Sequence, residues 1–319
     1  MTRPNISIVI PAFNEELNIG LVYQQVARVL SSENFEVLFI DDGSHDGTSQ
    51  EIKKLSENHP QVKGVSFSRN FGHQAAIKAG FDYAEGDCVV SIDCDLEHPP
   101  EYIPQMLKMW RDGADVVISK RATSDKLPIF KRWSSKVFYF LLRFISDVPV
   151  EAGSADFRLL DRKVVEACRK LTENELFWRG LIPWLGFKTE YLNYQQAFRQ
   201  HGESKYSFVK MLKLSVAGVT SFSVKPLYLS LYLGAFFASS SFLYLAYAVV
   251  IKLFTAKSVS GWASVIASVL LIGGVQLFVL GVMGVYLGKM FAQSKGRPHY
   301  IVRETISLSA SQKEMKRAG

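Results

Sequence analysis

Along the first part of this chain, apolar residues come in two kinds of block. Short runs rich in Val, Ile and Phe, bounded by polar or Pro and Gly punctuation, predict buried strands over residues 6–10, 37–40, 62–67, 88–92 and 115–119. Between them the apolar positions recur at helical spacing. After Asn14, which suits a helix cap, Leu17, Leu21, Val22, Val26, Val29 and Leu30 form one stripe, with Glu15 and Glu16 in the first turn. Further helices are predicted through Leu55, through Ala84 and over residues 103–111. A returning strand over 151–160, a helix around Phe177, Trp178 and Trp184, and a strand over 187–194 follow. Strands alternating with helices predict an α/β fold built on a parallel, doubly wound sheet, whose ligands bind beyond the carboxyl ends of the strands.

The pattern changes late in the chain. Residues 227–251 and 262–288 carry no charged side chain, and each run is long enough to cross a hydrocarbon core of ~30 Å at about 1.5 Å per residue. Tyr228, Tyr232, Phe254, Trp262, Tyr286 and Phe291 lie near the ends, where interfacial belts belong. Only Lys252 and Lys257 fall between the runs, whereas Lys205, Lys210, Lys213 and Lys225 precede them and Lys289, Lys295, Arg297 and Arg303 follow. That asymmetry predicts an integral protein of the plasma (inner) membrane with the large N-terminal part and both termini in the cytoplasm. Residues 1–7 carry no signal-peptide pattern and lead straight into a strand.

Two segments, 126–143 and 208–222, mix basic with aromatic or aliphatic residues at helical spacing and read as helices on the membrane surface. For the first, an ordinary amphipathic helix on the domain reads equally well. The predicted organisation is a cytoplasmic domain over 1–200, a juxtamembrane segment over 201–225, spans over 226–254 and 261–290, and a tail over 291–319, disordered after Ile306. Gly284 and Gly288 form a small-xxx-small pair that leaves a helix contact, and so a homo-oligomer, open.

A net charge of +7 is modest for a nucleic-acid binder, and no such partner is expected. Cys88, Cys94 and Cys168 form no Cys-x-x-Cys pair, which argues against a disulfide framework or zinc site and fits a reducing compartment. The polar chemistry collects at strand ends: Asp42, Arg69, Asp93 and Arg121. In Asp93-Cys94-Asp95-Leu96-Glu97-His98-Pro99-Pro100, two carboxylates two residues apart can point the same way. Hard oxygen ligands of this kind, with Glu97 as a third, suit Mg²⁺ or Mn²⁺ that also holds substrate phosphates. A solvated acidic turn is the plainer alternative. The first turn, Pro11-Ala12-Phe13-Asn14, lacks G-x-G-x-x-G, which argues against a dinucleotide-binding domain.

Taken together, these motifs resemble family 2 glycosyltransferases of the GT-A fold. More narrowly, they resemble the polyprenyl-phosphate glycosyltransferases, the group containing dolichyl-phosphate mannose synthase and bacterial undecaprenyl-phosphate glucosyltransferases. The resemblance covers about residues 5–300. It rests on Ser7-Ile8-Val9-Ile10-Pro11-Ala12-Phe13-Asn14-Glu15, Asp41-Asp42-Gly43-Ser44, Asp93-Cys94-Asp95 with Pro99-Pro100, Ala155-Asp156-Phe157-Arg158-Leu159, and Gly202-Glu203-Ser204-Lys205-Tyr206. It implies that Pro11, Phe13, Glu15, Ile40 and Asp42, with Arg69, hold the base and ribose of a nucleotide-sugar. Asp93, Cys94 and Asp95 would meet the metal and diphosphate, Arg121, Arg199 and Lys205 the phosphates, and Lys131 and Ser135 the acceptor phosphate. Glu97 departs from the Gln of many relatives; an extra carboxylate tightens a divalent ion but repels the diphosphate.

The implied reaction is inverting transfer of a sugar to a polyprenyl (undecaprenyl) phosphate, with UDP-glucose as the best-matching donor, giving a lipid-linked sugar for cell-envelope glycans. GDP-mannose, UDP-N-acetylhexosamine and a modified UDP-arabinose remain open. A lipid monophosphate is already ionised near pH 7, so it needs positioning more than deprotonation. Asp156 is then a base or an orienting group, with Asp95 the other catalytic candidate. A processive synthase would carry Gln-x-x-Arg-Trp and more spans. A non-catalytic scaffold or lipid-translocating partner would have lost the acidic and basic set.

Overall fold

The computed structural model describes residues 4–121, 154–173, 176–195, 225–254, 261–309 and 312. The expected surface helices and the loop over 199–206 lie outside these, as do Lys131, Ser135, Arg199 and Lys205. In chain order the elements are β1 (Ile6–Ala12), α1 (Ile19–Val29), β2 (Phe35–Asp41), α2 (Thr48–Asn58), β3 (Val62–Phe67), α3 (His73–Tyr83) and β4 (Cys88–Ser91). After a 3-10 turn (Pro100–Tyr102) come α4 (Ile103–Arg111), β5 (Val116–Arg121), β6 (Ser154–Asp161), α5 (Arg162–Arg169), α6 (Trp178–Trp184) and β7 (Thr189–Tyr194). Two long helices, α7 (Lys225–Phe254) and α8 (Trp262–Ser294), and a last strand, β8 (Val302–Ile306), complete the described chain.

The strands form one sheet in the order β7-β5-β6-β4-β1-β2-β3-β8. Its middle, β4-β1-β2-β3, is parallel as expected, but β6 runs antiparallel to β4 and β5, and β8 antiparallel to β3. The sheet is therefore mixed, a correction to the all-parallel expectation. The returning strand carries the consequence: because β6 starts where β4 ends, residues early in β6 land beside the acidic motif that follows β4.

Strands covered on both faces need apolar side chains at nearly every position, and β1 is buried throughout. Ile6, Ile8 and Ile10 pack in one core with Ile19, Val22 and Val26 of α1 and with Ile103 and Met106 of α4. Each such side chain removed from water contributes roughly 1.5–3 kcal/mol. On α3, a Cβ at Gly80 would lie 2.1 Å from Val9 Cγ1, so α3 rests on β1 at a distance only glycine permits.

Two expectations fail here. Helix α1 begins at Ile19, not after Asn14, and Asn14 itself is left-handed (φ 57°). The intervening amides go elsewhere: Asn14 N–H donates to Ser44 Oγ at 3.0 Å and Glu15 N–H to Thr48 Oγ1 at 2.9 Å, while Glu16 Oε2 accepts from Gly47 N–H at 2.6 Å. The turns after β1 and β2 are thus stitched together, and Leu17 and Leu21, expected on the buried stripe, are exposed. Nor is the chain disordered directly after Ile306. Leu308 and Gln312 are buried, and Gln312 Nε2 donates to the Tyr83 carbonyl at 2.7 Å.

The chain divides into two compact units, one holding all the described strands and the other α7 and α8. Within the second, α7 and α8 contact each other. Among the described residues one stretch, Leu271–Ser294, is long and apolar enough to cross a membrane. Residues of both helices, among them Leu231, Phe236, Leu277 and Phe291, expose large apolar side chains.

Candidate active site

The parallel strands end on one edge of the sheet, and the polar residues converge there. Asp42 follows β2 and is buried; its two oxygens accept from the backbone N–H groups of Phe71 (2.6 Å) and Gly72 (2.9 Å). Burial raises its carboxyl above the usual range against the pull of those two bonds. Gly43 lets the loops close: its φ is +69°, and a Cβ there would meet the Arg69 backbone at 2.4 Å. Arg69 is exposed and lies over the Phe71 ring at 4.0 Å. Phe13 is exposed, Pro11 and Ile40 are buried strand partners of each other, and Glu15 Oε2 accepts from Asn18 Nδ2 at 2.6 Å.

Past β4, Asp93 and Asp95 are partly open to solvent and Cys94 is buried. Burial pushes the Cys94 thiol well above its ordinary value, so it stays protonated. Asp95 Oδ1 accepts from Glu97 N–H at 3.1 Å. Asp93 Oδ2 faces His98 Nε2 at 3.1 Å, and His98 Nδ1 faces the Tyr194 hydroxyl at 2.8 Å. Burial works against ionisation of Asp93, but His98 and His73 outweigh it and hold the carboxyl below the ordinary range.

Asp156 enters from the start of β6, fixed by Ser91 Oγ donating to its carbonyl at 2.6 Å. Its carboxylate is gripped from both sides: Arg158 binds Oδ1, and Arg179 of α6 donates to Oδ2 at 2.7 Å. His73, the first residue of α3, stands between the acids, with Nε2 at 3.6 Å from Asp156 and 3.7 Å from Asp93. Burial opposes charge on Asp156, yet Arg158, His73 and Arg179 together hold its carboxyl well below the usual range. Desolvation likewise opposes protonation of His73, and the two carboxylates raise its pKa despite that.

The Glycosyl transferase family 2 model matches residues 7–169. The glycosyltransferase YkcC of Bacillus subtilis (strain 168), named as uncharacterized, is 43% identical and covers 95% of this chain and 94% of its own. The bactoprenol glucosyl transferase of Shigella phage SfV is 41% identical over 93% of this chain and 98% of its own. This chain belongs to glycosyl transferase family 2. It is a glycosyltransferase, and its mixed α/β sheet is the GT-A fold. Among solved structures, glucosyl-3-phosphoglycerate synthase from Mycobacterium tuberculosis covers 68% of the chain and 78% of its own at 18% identity and a TM-score of 0.45.

Of the residues expected in this glycosyltransferase's site, Asp42, Asp93, Asp95 and Asp156 stand along one edge of the sheet, and Arg121 ends β5 on that edge, opposite Tyr194. Among the described residues no group of three His, Cys, Asp or Glu converges as a metal cage. The partly open carboxylates of Asp93 and Asp95 fit a Mg²⁺ or Mn²⁺ that takes further ligands from substrate phosphates and water. Glu97 follows a turn in which Leu96 takes φ 61°, and its N–H is the donor to Asp95. Sequence reasoning missed His73, His98, Arg158 and Arg179. Arg158 lay inside a quoted motif and His98 three residues after Asp95, but nothing in their spacing told that they would meet the acids.

Proposed function

We propose that this glycosyltransferase moves glucose from UDP-glucose to a polyprenyl phosphate, undecaprenyl phosphate being the best match, with inversion at the anomeric carbon. The observation that carries the reading is the pairing of an acidic strand end with a buried cation-clamped carboxylate, in a chain matched over 93% of its length by a bactoprenol glucosyl transferase. In this reading Asp93 and Asp95 hold the metal against the donor diphosphate, with Arg121, Arg199 and Lys205 as its cationic partners. A bound Mg²⁺ or Mn²⁺ supplies neutralisation of the charge that develops on the departing diphosphate. Phe13, Pro11, Glu15, Ile40, Asp42 and Arg69 form the base and ribose end, and Lys131 and Ser135 meet the acceptor phosphate.

A carboxyl held as low as that of Asp156 is a weak proton acceptor, and an ionised phosphate nucleophile needs none. Asp156 therefore orients: it fixes the Arg179 guanidinium, a cation that favours an incoming phosphate, and stands 3.6 Å from His73 Nε2. The long apolar helices α7 and α8 are read as two spans, which hold the site at the bilayer with the catalytic unit on the cytoplasmic side.

The test uses full-length protein in detergent with Mn²⁺ or Mg²⁺, undecaprenyl phosphate, and labelled UDP-glucose, GDP-mannose or UDP-N-acetylglucosamine offered separately. Label from UDP-glucose should enter the organic phase, and chelator or Asp95→Asn should abolish it. Transfer from another donor alone would replace glucose in this reading; no transfer and no nucleotide binding would sink it.

A further inference from the structure

His98 is a histidine with both ring nitrogens used and no access to solvent, standing directly behind an acidic residue of the proposed metal site. It is 1% exposed, and its ring leans on Phe157 at a centroid distance of 5.6 Å. Nε2 meets Asp93 Oδ2 at 3.1 Å and Nδ1 meets the Tyr194 hydroxyl at 2.8 Å. An ionised carboxylate only accepts, so Nε2 carries the proton and Nδ1 takes the tyrosine O–H. The partners thereby assign one tautomer and one ring orientation.

Tyr194 is itself 1% exposed and ends β7, boxed edge-on by Phe157 (6.1 Å) and Tyr102 (6.0 Å). His98 reaches Asp93 only because the intervening turn runs through Leu96, a buried residue in the left-handed region at φ 61°. A branched side chain keeps that conformation only where its surroundings enforce it. An ordinary core histidine needs no such turn and no solvent-facing acid as its partner. Asp93, by contrast, keeps 30% of its side chain open, and its Oδ1 lies 3.7 Å from His73 Nε2, beyond hydrogen-bond distance.

We propose that the buried pair Tyr194–His98 is a positioning relay for the metal site: it ties up Asp93 Oδ2 so that Oδ1 faces the ion and donor in one fixed orientation. The inference rests on the metal-site reading given above. Outer partners that orient a ligating carboxylate or imidazole generally set affinity by about 10–100-fold, through the fixed ligand geometry they impose.

Free Mn²⁺ can be counted by electron paramagnetic resonance while Mn²⁺ is titrated into the full-length protein in detergent with saturating UDP. His98→Ala should weaken Mn²⁺ binding about 10–100-fold, and Tyr194→Phe, which keeps the ring and removes only the hydroxyl, should fall between it and the parent. His98→Gln carries an amide N–H to about the place of Nε2 and should recover most of the loss. Metal-free UDP binding should be the same in all four. Should His98→Ala not fold, the contrast between Tyr194→Phe and His98→Gln decides. Variants that bind Mn²⁺ like a binding-competent parent overturn the relay, as does His98→Gln binding as weakly as Tyr194→Phe or weaker. A parent that takes up no Mn²⁺ with UDP overturns the metal-site reading, and the relay with it.

Discussion

Asp156 and Arg158 form a buried ion pair, with side chains 7% and 2% exposed. Removing one partner leaves the other charge without its counter-ion in a poorly solvated place, which typically costs about 3–5 kcal/mol. Asp156→Asn should therefore lower the thermal midpoint sharply, and Asp156→Asn with Arg158→Met should recover part of the loss. The pH dependence has a definite sign. The folded carboxyl lies below its unfolded value of about 4, so its contribution is complete above that value and is lost as pH falls through the lower folded one. Unfolding free energy plotted against pH should lose part of its slope below about pH 4 in Asp156→Asn. Retention of the full slope would show that the clamp does not hold Asp156 ionised. Between pH 6 and 8 no limb of the activity profile should belong to Asp156. The acids of this site were legible in the sequence because they sit at strand ends in recognisable runs. Their cations were not: His73, Arg158 and Arg179 come from α3, β6 and α6, and only the antiparallel return of β6 brings them to one carboxylate.

At the level of elements, legibility followed burial. Strands β1 to β4 declared themselves because they are buried almost throughout and carry short runs of Val, Ile, Leu and Phe. The start of α1 misled for a physical reason. Asn-Glu-Glu has the composition of a helix entry, but its amides are taken by Ser44, Thr48 and Asp46, partners some thirty residues away that spacing does not reveal. Strand β8 was missed because it is short and carries Arg303 and Glu304; what makes it a strand is the free edge of β3. Tight packing between elements gives a sharper test than strand boundaries do. A methyl group at position 80 would collide with Val9 on the central strand, and overpacking of that kind costs about 1–3 kcal/mol. Gly80→Ala should accordingly lower stability in a denaturant titration even though alanine favours helix. A rise in stability would mean that α3 can move off β1 without loss.

The whole chain interleaves its two units: the sheet is begun before the apolar helices and finished after them. Ile306 packs within 3.3 Å of the position a Cβ would take on Gly64 of β3, and Tyr300 stacks on Phe67 at 5.0 Å. Further on, Ser309 Oγ donates to Glu85 at 2.7 Å and Gln312 Nε2 reaches Glu36, which also meets Ser7, Lys63 and the Glu85 N–H. These contacts cover an edge strand and complete a buried polar network at the amino end of the sheet, so losing them exposes β3 to pairing with other chains and leaves buried polar groups unmet. A chain cut after residue 207 should therefore be unstable and prone to aggregate, although it keeps every described strand but β8. Replacing residues 208–296 by a flexible linker that retains 297–319 should restore a folded, nucleotide-binding unit. The same replacement should abolish transfer to undecaprenyl phosphate in vesicles, because that acceptor resides in the bilayer. Equal thermal midpoints for the cut and linked chains would show that the terminal strand adds nothing to the sheet. Full transfer by the linked chain would remove the helices from the reaction.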